Sequence, residues 1–329
     1  MLTWPHRHTD WASDLANVEA CYLELAYHIC RYQKLLIVCF DHAHKKHIKQ
    51  ILKEKNVALE QVRLALAPSN DTWTRDHGPI AVLCQQDITL LDFRFNGWGG
   101  KYASDLDHAI TATLYHQQAL GDTVLEPISM VLEGGSIEVD GSGTLLTTRD
   151  CLLSPTRNPK LSQQQIEQKL IQWFGLSRVL WLGHGYLDGD DTDSHIDILA
   201  RFCDRETIVY THCDDKSDPH YKELNAMETE LRGLRSITDQ PYRLLPLPWP
   251  AAKYDEAGKR LAASYANFLV INGAIIMPGY NDPADEQARI CLQQCFPDRE
   301  VIAINALPLI KQGGSLHCMA MQLPEGVLT

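Results

Sequence analysis

Short β-like runs, each beginning or ending at a glycine-rich turn, recur along this 329-residue chain at roughly sixty-residue intervals. The turns fall near Gly78, Gly134–Gly135, His195, Gly273 and Gly313–Gly314. A unit of that size is too small to bury its own apolar face, so repeated units must pack on one another. The pattern therefore points to a radial repeat of small α/β units rather than two unlike domains, and to one domain over 1–329.

The local pattern fills in each unit. Residues 11–33 place apolar side chains at three- and four-residue spacing, which predicts a helix, and "LLIVCF" at 35–40 predicts a strand. A charged helix follows over "HAHKKHIKQILKEKN", then β-rich "PIAVL" and "ITLLDFRF", then a helix over 105–120. Two alternating runs flank Asp140-Gly141-Ser142-Gly143 in "SIEVDGSGTLLTT", a hairpin signal. Ser162-x-x-Gln165 reads as a capping box opening a helix that ends at Gly175. "RVLWL", "HIDILARF" and "TIVYTHC" read as strands, and 221–237 as a helix. A second hairpin is expected around Gly273, then a helix with Asp282 at its N-cap and Pro283 at its first position. "EVIAIN" and "HCMAMQL" read as the last strands, with Cys318 just inside the final one.

Charge and thiols narrow the function. The balance of 30 Lys+Arg against 42 Asp+Glu gives −12, which disfavours nucleic acid and anionic membrane and suits a small cationic partner. No apolar run reaches the length of a membrane span, and "MLTWPHRHTDW" lacks the pattern of a secretory leader. Ten cysteines without a CxxC pair fit a reducing, cytoplasmic compartment, with most thiols buried.

Four loci carry chemistry: "NDTWTRDHGP" with Trp73, Arg75, Asp76 and His77; "LEGGSIEVD" with Glu133; "GDDTDSHIDILARF" with His195 and Asp197; and "QGGSLHC" with Gly314 and Cys318. Were "HIDIL" a strand, His195 and Asp197 would share a face. "DGDDTDSH" lacks the central Gly and closing Glu of an EF-hand, and the histidines lack zinc-finger spacing, so a metal is not expected. A cysteine and a histidine drawn from distant segments suit covalent catalysis. Extra carboxylates suit a bound guanidinium, which is planar, always charged and paired two nitrogens at a time.

The segments "TWPHRHTDW", "WTRDHGPI", "FNGWGGKY", "EGGSIEVDG", "DDTDSHIDILARF", "YANFLVINGAIIMPGYNDPADEQA" and "GGSLHCMAMQ" occur in order. Together they resemble the agmatine deiminase family, also labelled bacterial-type peptidyl-arginine deiminases. The resemblance implies a pentein α/β propeller, five ββαβ-type units around a pseudo-fivefold axis. It implies guanidine hydrolysis without metal or cofactor. By the same resemblance Cys318 is the nucleophile, His195 the general acid and base, and Asp76 and Asp197 the guanidinium clamps. Glu133, Trp73, Trp98 and Gly314 would contact the substrate, the two tryptophans as walls for its alkyl chain. A deiminase acting on free or peptidyl arginine, or an amidinotransferase of the same fold, stays open. A homodimer is allowed but not required by the residues. The chain departs from the resemblance in two places. Ser194 stands where the family's motif often has Gly before the histidine, a change expected to matter little because both are small. The start at Met1 also leaves few residues before "WPH", so the first unit is expected to be shortened or shifted.

Overall fold

The structure is a computed structural model and describes residues 1–84 and 87–328. It is a mixed α/β protein with five sheets of three strands each. The first sheet joins β1 (Leu2–Thr3), β2 (Leu35–Cys39) and β3 (Val62–Leu66), all parallel. The helices α1 (Leu15–Cys30) and α2 (His42–Glu54) make its two crossovers.

The next three sheets share one plan: a tight antiparallel pair, a helix, then a third strand parallel to the second. Strands β4 (Ile80–Cys84) and β5 (Asp87–Arg94) are followed by α3 (Asp105–His116) and β6 (Val124–Val131). Strands β7 (Ile137–Val139) and β8 (Thr144–Thr148) are followed by α4 (Gln163–Phe174) and β9 (Arg178–Leu182). Strands β10 (Ala200–Phe202) and β11 (Thr207–Thr211) are followed by α5 (Tyr221–Gly233) and β12 (Arg243–Leu247). The fifth sheet orders β13 (Leu269–Ile271), β14 (Ala274–Gly279) and β15 (Glu300–Asn305), with α6 (Ala284–Cys295) before the last strand.

Local chemistry sets these boundaries. Ser162 accepts from the Gln165 amide while the Gln165 side chain accepts from the Ser162 amide, and Gly175 closes α4 in the left-handed conformation at φ 63°. Gly273 turns the β13–β14 pair at φ 72°.

Of the expected strands, "HIDILARF" is one only over Ala200–Phe202 and "HCMAMQL" is not one. Residues 196–198 form a short 3-10 turn, because the Ile198 carbonyl is taken by the hydroxyls of Thr211 and Ser264 rather than by a ladder. The run after Cys318 makes only an isolated bridge, Leu2 to Ala320. Met319, Ala320 and Met321 are all buried, so the apparent alternation has no solvent face to match.

The chain divides into two compact units. The first comprises Met1–Gly134, Leu269–Ile276 and Leu316–Thr329. Its core gathers Leu36, Val38, Leu90, Ile110, Leu114 and Met321. The second comprises Gly135–Phe268 and Met277–Ser315. Its core includes Ile196, Ile198 and Leu199 beside Leu224, Met227 and Leu231 of α5. Each such side chain, removed from water, contributes about 1.5–3 kcal/mol. The turn bearing Asp197 is thus rooted in apolar packing on both sides. No helix among the described residues is long and apolar enough to cross a membrane.

Candidate active site

In the first unit three of the sequence loci meet around Arg75, which the sequence placed in the first of them without a role. Its backbone amide donates to the Cys318 carbonyl at 3.1 Å. Its guanidinium donates to the His317 carbonyl at 3.4 Å and to the Gln322 side chain. A Cβ added at Gly134 would lie 2.2 Å from the Arg75 carbonyl oxygen, so the "EGG" turn rests directly on the "TRD" loop. Asp76, Glu133 and Cys318 are all buried there. Methionine sulfurs fix the Cys318 segment further. The Tyr22 hydroxyl donates to Met319 Sδ at 2.8 Å, and Arg75 Nη1 lies 3.4 Å from Met321 Sδ.

Trp98 is tied directly to one of the candidate acids. Its indole N–H donates to Asp76 Oδ2 at 3.0 Å, so it aims the carboxylate. The backbone explains "FNGWGG". Gly97, Trp98, Gly99 and Gly100 all have positive φ, from 55° to 88°. Three can be glycine at no steric cost, but Trp98 bears about 1–2 kcal/mol of left-handed strain. Strain held at a buried, hydrogen-bonded tryptophan is typical of functional sites. Trp73 donates instead to Asp71 Oδ2 at 3.1 Å and packs on Trp11, with ring centroids 5.8 Å apart.

Beside Trp73 stand a buried acid, Asp107, and a half-buried one, Asp71. Asp107 accepts from the amides of Asn70 and Asp71, and Asp71 accepts from Trp11 and Trp73. Burial pushes Asp107 up to about 7 and Asp71 up to about 6. Burial also drives His77 down to about 3, which keeps it neutral.

The second unit carries His195 and Asp197, both buried, with His195 capping the 3-10 turn that holds Asp197. Asp190 organises the loop before them. Its carboxylate accepts from the Thr192 amide at 2.9 Å, the Thr192 hydroxyl at 2.5 Å and the Ser194 amide at 2.8 Å. The Thr192 hydroxyl in turn accepts from the His195 amide at 3.1 Å. Burial raises Asp190, and a charged His195 opposes the rise. The buried Arg157 guanidinium pairs with Asp193 and donates to the Thr192 carbonyl at 3.0 Å. Gly313 crosses close to Gly189 at the start of the same loop, and the neighbouring Gly314 is buried. Ser194, Asp190, Asp193, Asp150 and Arg149 line a cleft of about 560 Å³.

Asp193 and Ser194 both sit at φ 65°. Two successive non-glycine residues in the left-handed region are unusual, and they set the approach to His195. The departure at Ser194 therefore falls where backbone freedom matters, not only size. The sequence named Arg75 without giving it a role, and it missed Asp190 and Arg157 because neither belongs to a recognised catalytic pattern. Only the Asp-rich composition of "GDDTDSH" hinted at a built loop.

Comparisons with known proteins agree along the whole chain. The profile of Porphyromonas-type peptidyl-arginine deiminases matches residues 1–324. A solved Porphyromonas gingivalis protein described as an arginine deiminase is 49% identical, with a TM-score of 0.93 over 100% of this chain and 96% of its own. The agmatine deiminase of C. jejuni, solved as a cysteine-to-serine form with substrate bound, is 37% identical. Its TM-score is 0.89 over 97% of this chain and 91% of its own. A Selenomonas ruminantium protein that carries the name agmatine deiminase is 34% identical over 98% of this chain and 92% of its own length.

Proposed function

Because the chain belongs to the Porphyromonas-type peptidyl-arginine deiminase family, we propose that it hydrolyses the guanidino group of agmatine, giving N-carbamoylputrescine and ammonia. The observation that carries this reading is the convergence on Arg75, which ties the Trp98-bound carboxylate of Asp76 to the backbone of Cys318. Supporting it are the agmatine deiminase relatives, one of them solved with substrate after a cysteine-to-serine change.

In this proposal the whole chain, 1–329, works as one deiminase domain, without metal or cofactor. Asp76 and Asp197 hold the guanidinium nitrogens and offset the cost of burying the cation. The Cys318 thiolate attacks the central carbon and forms a C–S bond. His195 protonates one nitrogen, the C–N bond breaks, and ammonia leaves an amidino-thioether. Water, deprotonated by His195, adds to that carbon. The C–S bond then breaks, releasing the ureido product and the Cys318 thiolate. Glu133, Trp73 and Gly314 complete the pocket. The carboxylates of Asp150 and Asp190 in the cleft beside Ser194 favour a cationic substrate.

Arginine, free or at a peptide terminus, is the second reading, favoured by the 49% identity to the Porphyromonas gingivalis protein. The test is a panel of agmatine, arginine and a peptide ending in arginine, with ammonia and ureido product quantified together. Agmatine is expected to give ammonia and N-carbamoylputrescine in equal amounts at the highest kcat/KM. Citrulline from arginine with no turnover of agmatine would overturn the proposal in favour of the second reading.

A further inference from the structure

One buried histidine that the proposed chemistry does not use has both ring nitrogens engaged. His220 is 2% exposed and stands at the N-cap of α5. Its Nε2 accepts from the Asp188 amide at 2.8 Å, and its Nδ1 lies 2.8 Å from Asp218 Oδ1. An amide can only donate, so Nε2 carries no proton and Nδ1–H donates to Asp218. The Asp218 carboxylate is fixed in turn by the Trp249 indole at 3.0 Å and the Arg260 guanidinium at 2.9 Å. Tyr186 stacks on the His220 ring, with centroids 6.1 Å apart, and its hydroxyl donates to Asp188 Oδ1 at 2.7 Å. Gly189 lies against the backbone beside Arg260. A Cβ there would meet the Arg260 carbonyl oxygen at 2.7 Å and the Ala262 amide nitrogen at 2.9 Å. Arg260 thus closes a ring of contacts, through its side chain to Asp218 and through its backbone to Gly189.

On the premise of the deiminase function proposed above, we propose that His220 is a positioning residue for His195. Residues 183–195 contain no helix or strand, so side-chain bonds must set their path. The connection is short. His220 holds the Asp188 amide, the backbone at 260–262 confines Gly189, and Asp190 comes next. The Asp190 carboxylate holds the Thr192 and Ser194 amides, and the Thr192 hydroxyl accepts from the His195 amide. The Asp197 turn has its own anchor in the apolar side chains of α5. Loosening the loop therefore disturbs the imidazole more than the carboxylate. In the proposed reaction His195 moves protons while Asp197 holds the cation, so the loss falls on kcat rather than KM.

Two substitutions separate the two ring nitrogens. His220→Asn places its amide about where Nδ1 was, so it keeps Asp218 and gives up Asp188. His220→Gln reaches about as far as Nε2 and still offers an acceptor to the Asp188 amide. The full chain and both variants are compared by residue-resolved amide hydrogen exchange, thermal melts and steady-state ammonia release on agmatine. In the unmutated chain the Asp188 amide is expected to exchange at least about 100-fold more slowly than an unstructured amide. His220→Asn should speed exchange at Asp188, Thr192 and Ser194 and lower kcat by about 10- to 100-fold, with KM within about twofold of the parent. His220→Gln should recover most of both. An Asp188 amide exchanging at the unstructured rate, equal kcat losses in the two variants, or a loss confined to KM would overturn the proposal. The first of these is read on the unmutated chain, so it decides even if His220→Asn fails to fold. Ammonia release by the unmutated chain tests the deiminase function by itself, and amide exchange does not depend on it, so the two fail separately.

Discussion

Replacing Gly134 by alanine probes the junction on which the site is built. The new methyl carbon would lie 2.2 Å from the Arg75 carbonyl oxygen, 3.0 Å from Met321 Cε and 3.3 Å from Arg75 Cδ. The methionine end can swing away, but the carbonyl is backbone and cannot. An ordinary carbon–oxygen contact needs roughly 1 Å more, so the "EGG" and "TRD" loops must part by about that distance. Overpacking of this kind costs about 1–3 kcal/mol. For a chain of this size that lowers the melting temperature by roughly 1–5 °C. The Arg75 carbonyl immediately precedes Asp76, so the carboxylate moves with it. A displacement of about 1 Å at a positioning group lowers kcat/KM by about 10²-fold. Thermal melts and steady-state ammonia release on agmatine measure both effects. Gly233→Ala, where the added carbon meets nothing within 4 Å, is the control and should change neither. If Gly134→Ala melts at the parent temperature, the packing argument is wrong. If it melts lower but keeps full kcat/KM, the claim that this junction sets the Asp76 carboxylate is refuted.

Other consequences follow from the same structure. Trp98→Phe removes the donor to Asp76 and should lower kcat/KM by about 10-fold, with a stability loss near 1 kcal/mol, read by kinetics and melts together. Ser194→Gly should raise stability by about 0.5–1 kcal/mol in denaturant titration, because it relieves a left-handed residue. Asp107 rises from an ordinary 3.8 to about 7 on folding, so the folded state binds the proton more tightly. Stability is therefore full below about pH 4 and falls as pH rises through about 7, by up to about 4 kcal/mol. Melts across that window should show the decline, and Asp107→Asn should lessen it, leaving the share that Asp71 contributes.

How much could be read beforehand depended on how local each determinant is. The hairpin around Gly141 and the Ser162 box were legible because the residues that build them lie within a few positions of one another. "HIDIL", at the head of a strand that begins only at Ala200, and "HCMAMQL" misled because alternation implies a strand only where the backbone is offered a ladder. In one case Thr211 and Ser264 take the carbonyl, and in the other the Arg75 amide does. Arg75 itself was invisible as a hub, since its partners His317 and Gln322 lie some 240 residues further on. Asp190 was seen only as one acid among several, because its hold on Thr192 and Ser194 depends on a backbone path that composition does not encode. The glycines of "FNGWGG" marked a special loop, but not that Trp98 would share their conformation.

The most direct test is to mix the protein with excess agmatine for less than one turnover, quench in acid and map its peptides by mass. An amidino group is expected on the peptide bearing Cys318, absent when agmatine is omitted, with no ammonia from Cys318→Ala. An unmodified Cys318 peptide together with ammonia release by Cys318→Ala at the parent rate would contradict it.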